Sequence, residues 1–286
     1  MRVWNKTPER VDEARKLIEA VLPDLATHDL LDGREPADMM RAMTACPTLA
    51  EALEGADYVQ ENTAETVDVK REVFAELDRL APPGAILASS TSGIVPSSFT
   101  DHLAGRERCV VVHPLNPPYL IPAVDIVPAP WTAPETVERA AAFMRACGQT
   151  PIIMKHEDPG FVTIRLQGMM YHECWRMVKS GLASPEDVDT AIREGLGLRW
   201  SFIGPFETAD LNAPGGIRDF VGRFGRDLRA IYPDDGPVDW SGELMDNVEA
   251  HRRERLPLGE LRARQQWRDR RLLALAAHKR AQANTR

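Results

Sequence analysis

The residues from which chemistry can start lie in the stretch Arg108–Tyr119, which reads Arg-Cys-Val-Val-Val-His-Pro-Leu-Asn-Pro-Pro-Tyr, with Asp125 shortly after it. A β-branched run ends on His113, and the Pro and Asn-Pro steps that follow stop the strand. In an open α/β sheet, ligands sit beyond the carboxyl ends of the strands, which is where this pattern places His113. Imidazole is the side chain that ordinarily titrates near neutral pH, so His113 is the first candidate for moving a proton. The plainer alternative is a histidine that only ends a strand, and from this stretch alone both readings stand.

Alternating strands and helices must position that histidine. Met1–Asn5 reads as a strand, and Thr7 as N-cap, Pro8 at the first helical position and Glu9 in the first turn open a helix. A strand with a polar tip followed at once by a helix is the form of the second strand of a dinucleotide-binding unit, where the tip meets the adenosine ribose. The first strand and its glycine-rich turn, expected before it, are not in the sequence given. Further on, Leu49–Leu53 reads as a short helix, Ala56–Gln60 as a strand and Glu61–Leu80 as an amphipathic helix. Ala85–Ala88 is a strand ending in Ser-Ser-Thr-Ser-Gly at 89–93, Ala123–Val127 another, and Pro151–Met154 follows a helix from Pro134 to Gly148. This order predicts an α/β fold with a Rossmann-like, mostly parallel, doubly wound sheet.

From Gly160 the pattern is helical. Phe161–Ser180 is predicted as one long helix with Met169, Met170, Trp175 and Met177 buried, and Ser184-Pro185-Glu186-Asp187 as the start of the next. The expected division therefore falls at 157/158, with a dinucleotide-binding domain over 1–157 and an all-helical domain over 158–286.

Composition narrows the class. Apolar residues make up 43% and charged residues 27% of the 286 residues, and the net charge of -8 argues against a general nucleic-acid binder. Cys46, Cys109, Cys147 and Cys174 have no metal-like spacing and read as reduced thiols, so no metal is expected. No apolar run approaches a membrane span, and the expected location is cytoplasmic.

Several separated motifs resemble one family. Ser-Ser-Thr-Ser-Gly at 89–93, His-Pro-Leu-Asn-Pro-Pro at 113–118, Pro159-Gly160-Phe161 and Gly204-Pro205-Phe206-Glu207 come in the order seen in the 3-hydroxyacyl-CoA dehydrogenase superfamily. The run from Glu194 to Pro205, Leu211-Asn212-Ala213 and Gln266-Trp-Arg-Asp269 resemble its lambda-crystallin branch, which includes L-gulonate 3-dehydrogenase. The resemblance implies nicotinamide-dependent oxidation of a secondary alcohol and a homodimer formed through the helical domain. It makes His113 the base and Ser92 the hydroxyl on the reacting oxygen. Asp125 takes the place of a glutamate that orients the histidine, one methylene shorter, so contact requires a closer backbone or a bridging water. Asn116 shapes the site, and Glu65 and Lys70 approach the cofactor. Without the resemblance, both would read as a solvated helix face.

Two departures stand out. The family carries an asparagine where this chain has Ile164, which offers no donor. The missing glycine-rich turn would leave a gap between two unpaired strand edges. Either the start lies upstream, the expectation favoured because every later element fits, or the chain is a relative that no longer binds dinucleotide.

At the strand tip, Asn5 stands where NAD sites usually carry Asp or Glu, and Lys6, Thr7 and Arg10 follow. That reads as a pocket accommodating a 2′-phosphate, so both NAD and NADP are expected cofactors; the alternative makes Lys6 and Arg10 exposed helix-start cations. Arg199 resembles the arginine of the non-CoA branch and suits a free carboxylate, unless it pairs with Glu194 or Glu207. The expected substrate is a small 3-hydroxy acid, L-gulonate- or carnitine-like. The alternatives are a 3-hydroxyacyl-CoA, and a non-enzymatic crystallin-like protein. The basic tail from Pro257, with Arg262, Arg264, Arg268, Arg270 and Arg271 around Trp267, reads as a dimer-packing or solvated helix.

Overall fold

A computed structural model describes residues 1–28, 30–231 and 242–283. The chain forms two compact units, Met1–Tyr171 and His172–Arg286.

In the first unit, β3 (Tyr58–Glu61), β4 (Ile86–Ser89), β5 (Cys109–Pro114), β6 (Ala123–Pro128) and β7 (Thr150–Ile153) form one sheet in that order. Every pair is parallel except β5 and β6, which run antiparallel. β1 (Arg2–Val3) pairs in parallel with β2 (Thr44–Ala45) as a separate two-stranded sheet. Among the described residues, β1 and β3 thus each have one edge without a strand partner. The helices are α1 (Pro8–Thr27), α2 (Pro36–Arg41), α3 (Leu49–Leu53), α4 (Val67–Leu80), α5 (Ser97–Thr100) and α6 (Pro134–Ala146).

Side-chain alternation divides the sheet into two apolar layers. Leu87, Cys109, Val111 and Val127 face one way, packing with Leu53, Phe74, Leu77 and Phe99, and Phe74 and Phe99 meet edge-on at 4.8 Å. Ile86, Ala88, Val110, Val112, Val124 and Ile126 face the other way onto Ala140 and Ala141 of α6. The same period of two carries four polar side chains onto the first of these faces: Glu61 ending β3, Ser89 ending β4, His113 near the end of β5, and Asp125 on β6.

Three local expectations need correction. Thr7 stands at the N-cap of α1, but its side chain makes no capping bond; the turn is made by Asn5, whose Oδ1 accepts from the Thr7 N–H at 2.9 Å. The predicted helix over Glu61–Leu80 begins only at Val67, because Glu61 completes β3 in register with Ser89. Glu65 therefore lies in the loop before α4.

The third correction concerns α7 (Thr163–Lys179), which buries none of its residues. Met169 is 54% exposed and Trp175 76%, whereas burial of both was expected. Its periodicity reports an apolar face, of which Leu166, Met169 and Trp175 are exposed among the described residues.

The second unit continues with α8 (Pro185–Thr190), opened by a capping box in which Ser184 and Asp187 exchange bonds. A π-helical turn over Ala191–Leu196 leads to α9 (Gly197–Trp200), α10 (Pro205–Leu211), α11 (Gly216–Arg229), α12 (Gly242–Arg255) and α13 (Leu261–Ala283). No strand follows β7 among the described residues. Asp210, fully buried on α10, accepts from the Ile217 N–H at 2.9 Å and pairs with Arg252 and Arg253. Glu207 pairs with Arg264 of α13 at 2.6 Å, and that guanidinium stacks on Trp267 at 3.6 Å. At least part of the basic tail thus closes onto α10. The side chains of Arg268, Asp269 and Leu272 lie outside the described residues. No described helix is long and apolar enough to cross a membrane.

Candidate active site

His113 and Asp125 are register partners across the antiparallel β5–β6 pair. Directly opposite residues on such a pair project from the same face with Cβ atoms about 5 Å apart. The shorter aspartate therefore reaches without a bridging water: His113 Nδ1 lies 3.3 Å from Asp125 Oδ2. Asp125 is fully buried and His113 only 5% exposed. The Thr163 hydroxyl, at the first residue of α7, donates to the same Oδ2, while Asp125 Oδ1 is buried with no hydrogen-bond partner. A carboxylate can only accept, so Nδ1 is the donor in this contact, and in the neutral ring the lone pair then lies on Nε2.

Phe161 backs the histidine, with ring centroids 5.8 Å apart. It is fully buried and has φ 52, after Gly160 at φ 81. A bulky residue rarely enters this left-handed region, so the tight turn before α7 is a strained feature that drives Phe161 inward. Ile164 follows Thr163 and brings no donor, as expected.

The Ser89–Gly93 turn beyond β4 holds Ser92 exposed, with its N–H donating to Glu65 Oε1 at 2.9 Å. The Thr91 hydroxyl donates to the same oxygen. Lys70, on α4, is not a solvated cation: it is 1% exposed. Its Nζ lies 3.1 Å from Glu61 Oε2 and 3.8 Å from Glu65 Oε2. Sequence reasoning missed Glu61 and Thr163. The alternation of Tyr58–Glu61 could have extended the strand by one residue and flagged Glu61; no signal in the sequence distinguishes Thr163.

Asn116 is exposed in the loop after β5. Asn5 and Lys6 are exposed after β1, and Arg10 pairs with Glu13 at 3.0 Å on α1. Arg199 lies in the second unit on α9, where its Nε is buried without a hydrogen-bond partner. Glu194 and Glu207, its suggested structural partners, accept from Arg193 and Arg264 respectively. Burial pushes the Cys109 thiol up to about 12, which removes it as a nucleophile. Among the described residues, no group of three or more His, Cys, Asp or Glu could hold a metal ion.

Residues 1–157 match the family profile described as 3-hydroxyacyl-CoA dehydrogenase, NAD binding domain, and residues 160–252 the one described as its C-terminal domain. The chain is 37% identical over 284 residues to lambda-crystallin of Oryctolagus cuniculus, covering 98% of this chain and 89% of that one. It is 35% identical over 273 residues to the L-carnitine dehydrogenase of Pseudomonas putida, covering 95% and 84%. A solved structure of FHMPC 5-dehydrogenase, an NAD+-dependent dismutase, superposes with a TM-score of 0.73 at 26% identity, covering 94% of this chain and 90% of that one. With the histidine–carboxylate pair at the sheet's end, these likenesses establish that the chain belongs to the 3-hydroxyacyl-CoA dehydrogenase family, as an NAD-dependent oxidoreductase.

Proposed function

We propose that the chain oxidises the secondary alcohol of a small 3-hydroxy acid, L-gulonate- or carnitine-like, with NAD or NADP as acceptor. The observation that carries this reading is the buried His113–Asp125 pair. With Nδ1 held on Asp125, Nε2 takes the hydroxyl proton, and the carboxylate then faces an imidazolium. The Thr163 hydroxyl fixes Asp125 by donating to its Oδ2. Ser92 steadies the reacting oxygen and Asn116 the substrate, and because Ile164 offers no donor, Ser92 carries more of that task.

The dinucleotide, when bound, accepts the hydride. Asn5, Lys6 and Glu65 are the residues assigned to hold it, with Lys70 buried behind Glu65, within residues 1–157. The fit rests on Glu65, a half-exposed carboxylate pinned by the Thr91 hydroxyl and the Ser92 amide and so prepared to accept from ribose hydroxyls. Within residues 158–286, Arg199 takes the substrate carboxylate. A buried guanidinium nitrogen without an acceptor supports that role, because an oxyanion would satisfy it. The stretch Tyr119–Val124 has no basic residue before Asp125, which favours a free acid over a CoA thioester. The likeness to L-carnitine dehydrogenases points the same way. The exposed Leu166, Met169 and Trp175 of α7 support a homodimer through the helical part. A cytoplasmic location is part of the same proposal.

The test is reduction of NAD+ and NADP+ with L-gulonate, L-carnitine and 3-hydroxybutyryl-CoA as alternative substrates. Turnover of a free hydroxy acid is expected, with His113→Gln lowering kcat about 100- to 10,000-fold. Preference for the thioester would move the assignment to 3-hydroxyacyl-CoA. If there is neither turnover nor dinucleotide binding, the non-enzymatic reading takes over.

A further inference from the structure

Glu61 is a carboxylate that the proposed reaction does not use. Its side chain and that of Lys70 are each 1% exposed. A buried ion pair at the end of a sheet is costly unless every remaining lone pair and proton is satisfied, and here the satisfaction is unusually full. Glu61 Oε1 accepts from the Thr63 N–H and hydroxyl and from Lys70 at 3.2 Å. Its Oε2 accepts from Ser89 at 2.5 Å and from Lys70 at 3.1 Å. Burial alone pushes the Glu61 carboxyl up, but Ser89, Thr63 and the Lys70 ammonium outweigh it and hold the group below its ordinary value.

The bonds continue into the turn that carries Ser92. The Glu61 carbonyl accepts from the Ser90 N–H at 3.0 Å and from the Ser90 hydroxyl at 3.1 Å. Glu65 accepts from the Thr91 hydroxyl and the Ser92 N–H, and Lys70 stands between the two glutamates. Four successive residues, Ser89 to Ser92, are therefore gripped by one buried and one half-exposed glutamate. On the assignment of Glu65 and Ser92 made above, we propose that Glu61 is a positioning residue for the dinucleotide. Through Lys70 and the Ser89–Ser92 turn, it sets the Glu65 carboxylate and the Ser92 amide. Lys70 accordingly acts through Glu65, since its charge is already matched by Glu61.

The experiment compares the full chain with Glu61→Gln, Glu61→Asp and the double variant Glu61→Gln with Lys70→Met. Two readouts are taken: NADH affinity by calorimetry, and amide hydrogen exchange over residues 89–93. Glu61→Gln is expected to weaken NADH binding about tenfold or more and to speed exchange at Ser90 and Ser92. Glu61→Asp, which keeps the charge, should recover part of both. The double variant, which leaves no unmatched buried charge, should exchange more slowly than Glu61→Gln.

A folded Glu61→Gln chain with unaltered exchange and unaltered affinity overturns the proposal. So does a loss of affinity that Glu61→Asp does not restore in part. If the parent chain binds no dinucleotide, the cofactor assignment fails and the positioning role with it, whereas the exchange data still show whether the clamp exists. If Glu61→Gln does not fold, Glu65→Gln, at a half-exposed site, gives the same readouts; unaltered exchange at Ser92 in that variant overturns the proposal.

Discussion

Replacing Asp125 by Asn preserves size at a fully buried position and removes only the charge. Asp125 Oδ2 lies 3.3 Å from His113 Nδ1. At an effective dielectric of about 20, opposite unit charges at that separation attract by about 5 kcal/mol. This stabilisation is available only once the imidazole has taken the alcohol's proton, so it lowers the barrier rather than the ground state. The amide dipole of Asn recovers part of it, leaving a deficit of about 3–4 kcal/mol, or a kcat about 100- to 1,000-fold lower. If the Asn amide turns its NH2 towards Nδ1, the ring proton moves to Nε2 and the base is lost, which acts in the same direction.

The assay is the initial rate of alcohol oxidation at saturating substrate and dinucleotide, with Tm recorded to show that the variant is folded. A folded Asp125→Asn chain with kcat within about threefold of the parent would refute the assignment of Asp125 as the orienting acid. The reverse change is informative as well. Asp125→Glu keeps the charge but adds a methylene where the strands are directly opposite and solvent is excluded. Overpacking of this kind costs about 1–3 kcal/mol, so Asp125→Glu should lower Tm and not raise activity.

Other outcomes follow from the same geometry. Thr163→Val removes a hydroxyl donor from the Asp125 carboxylate and should cost about 1.5–3 kcal/mol of stability, with kcat falling about tenfold; denaturant melts and initial rates check both. Because the fold lowers the Glu61 carboxyl pKa, its contribution to stability is complete above the unfolded carboxylate range and lost as pH falls through the folded value. Glu61→Gln should therefore flatten the acid limb of the Tm–pH profile; a limb as steep as the parent's would count against that assignment. Lys6→Glu should shift the ratio of NADPH to NADH affinity towards NADH if Lys6 faces a 2′-phosphate; an unchanged ratio in calorimetry leaves Lys6 as a solvated cation like Arg10, which already pairs with Glu13.

Much of the frame was legible in the chain itself. Short apolar runs bounded by Gly, Pro and Ser marked β4, β5 and β7, and the end of the Cys109–Val112 run marked His113 as a group at a strand's carboxyl end. These are local properties: steric preference and periodicity act within a few residues. The orientation of β6 is different, because alternation reads the same in either direction. Only the tertiary pairing made it antiparallel to β5, and that register brings Asp125 opposite His113 and lets a short carboxylate serve. Lys70 carries the same lesson, since helical spacing defines a face but not what covers it. Tertiary packing buried Lys70 against Glu61 and left Met169 and Trp175 of α7, which read as core in the sequence, exposed. Thr163 and Glu61 joined the site for the same reason: proximity across long sequence separations is set by how the layers pack, and no local pattern encodes it.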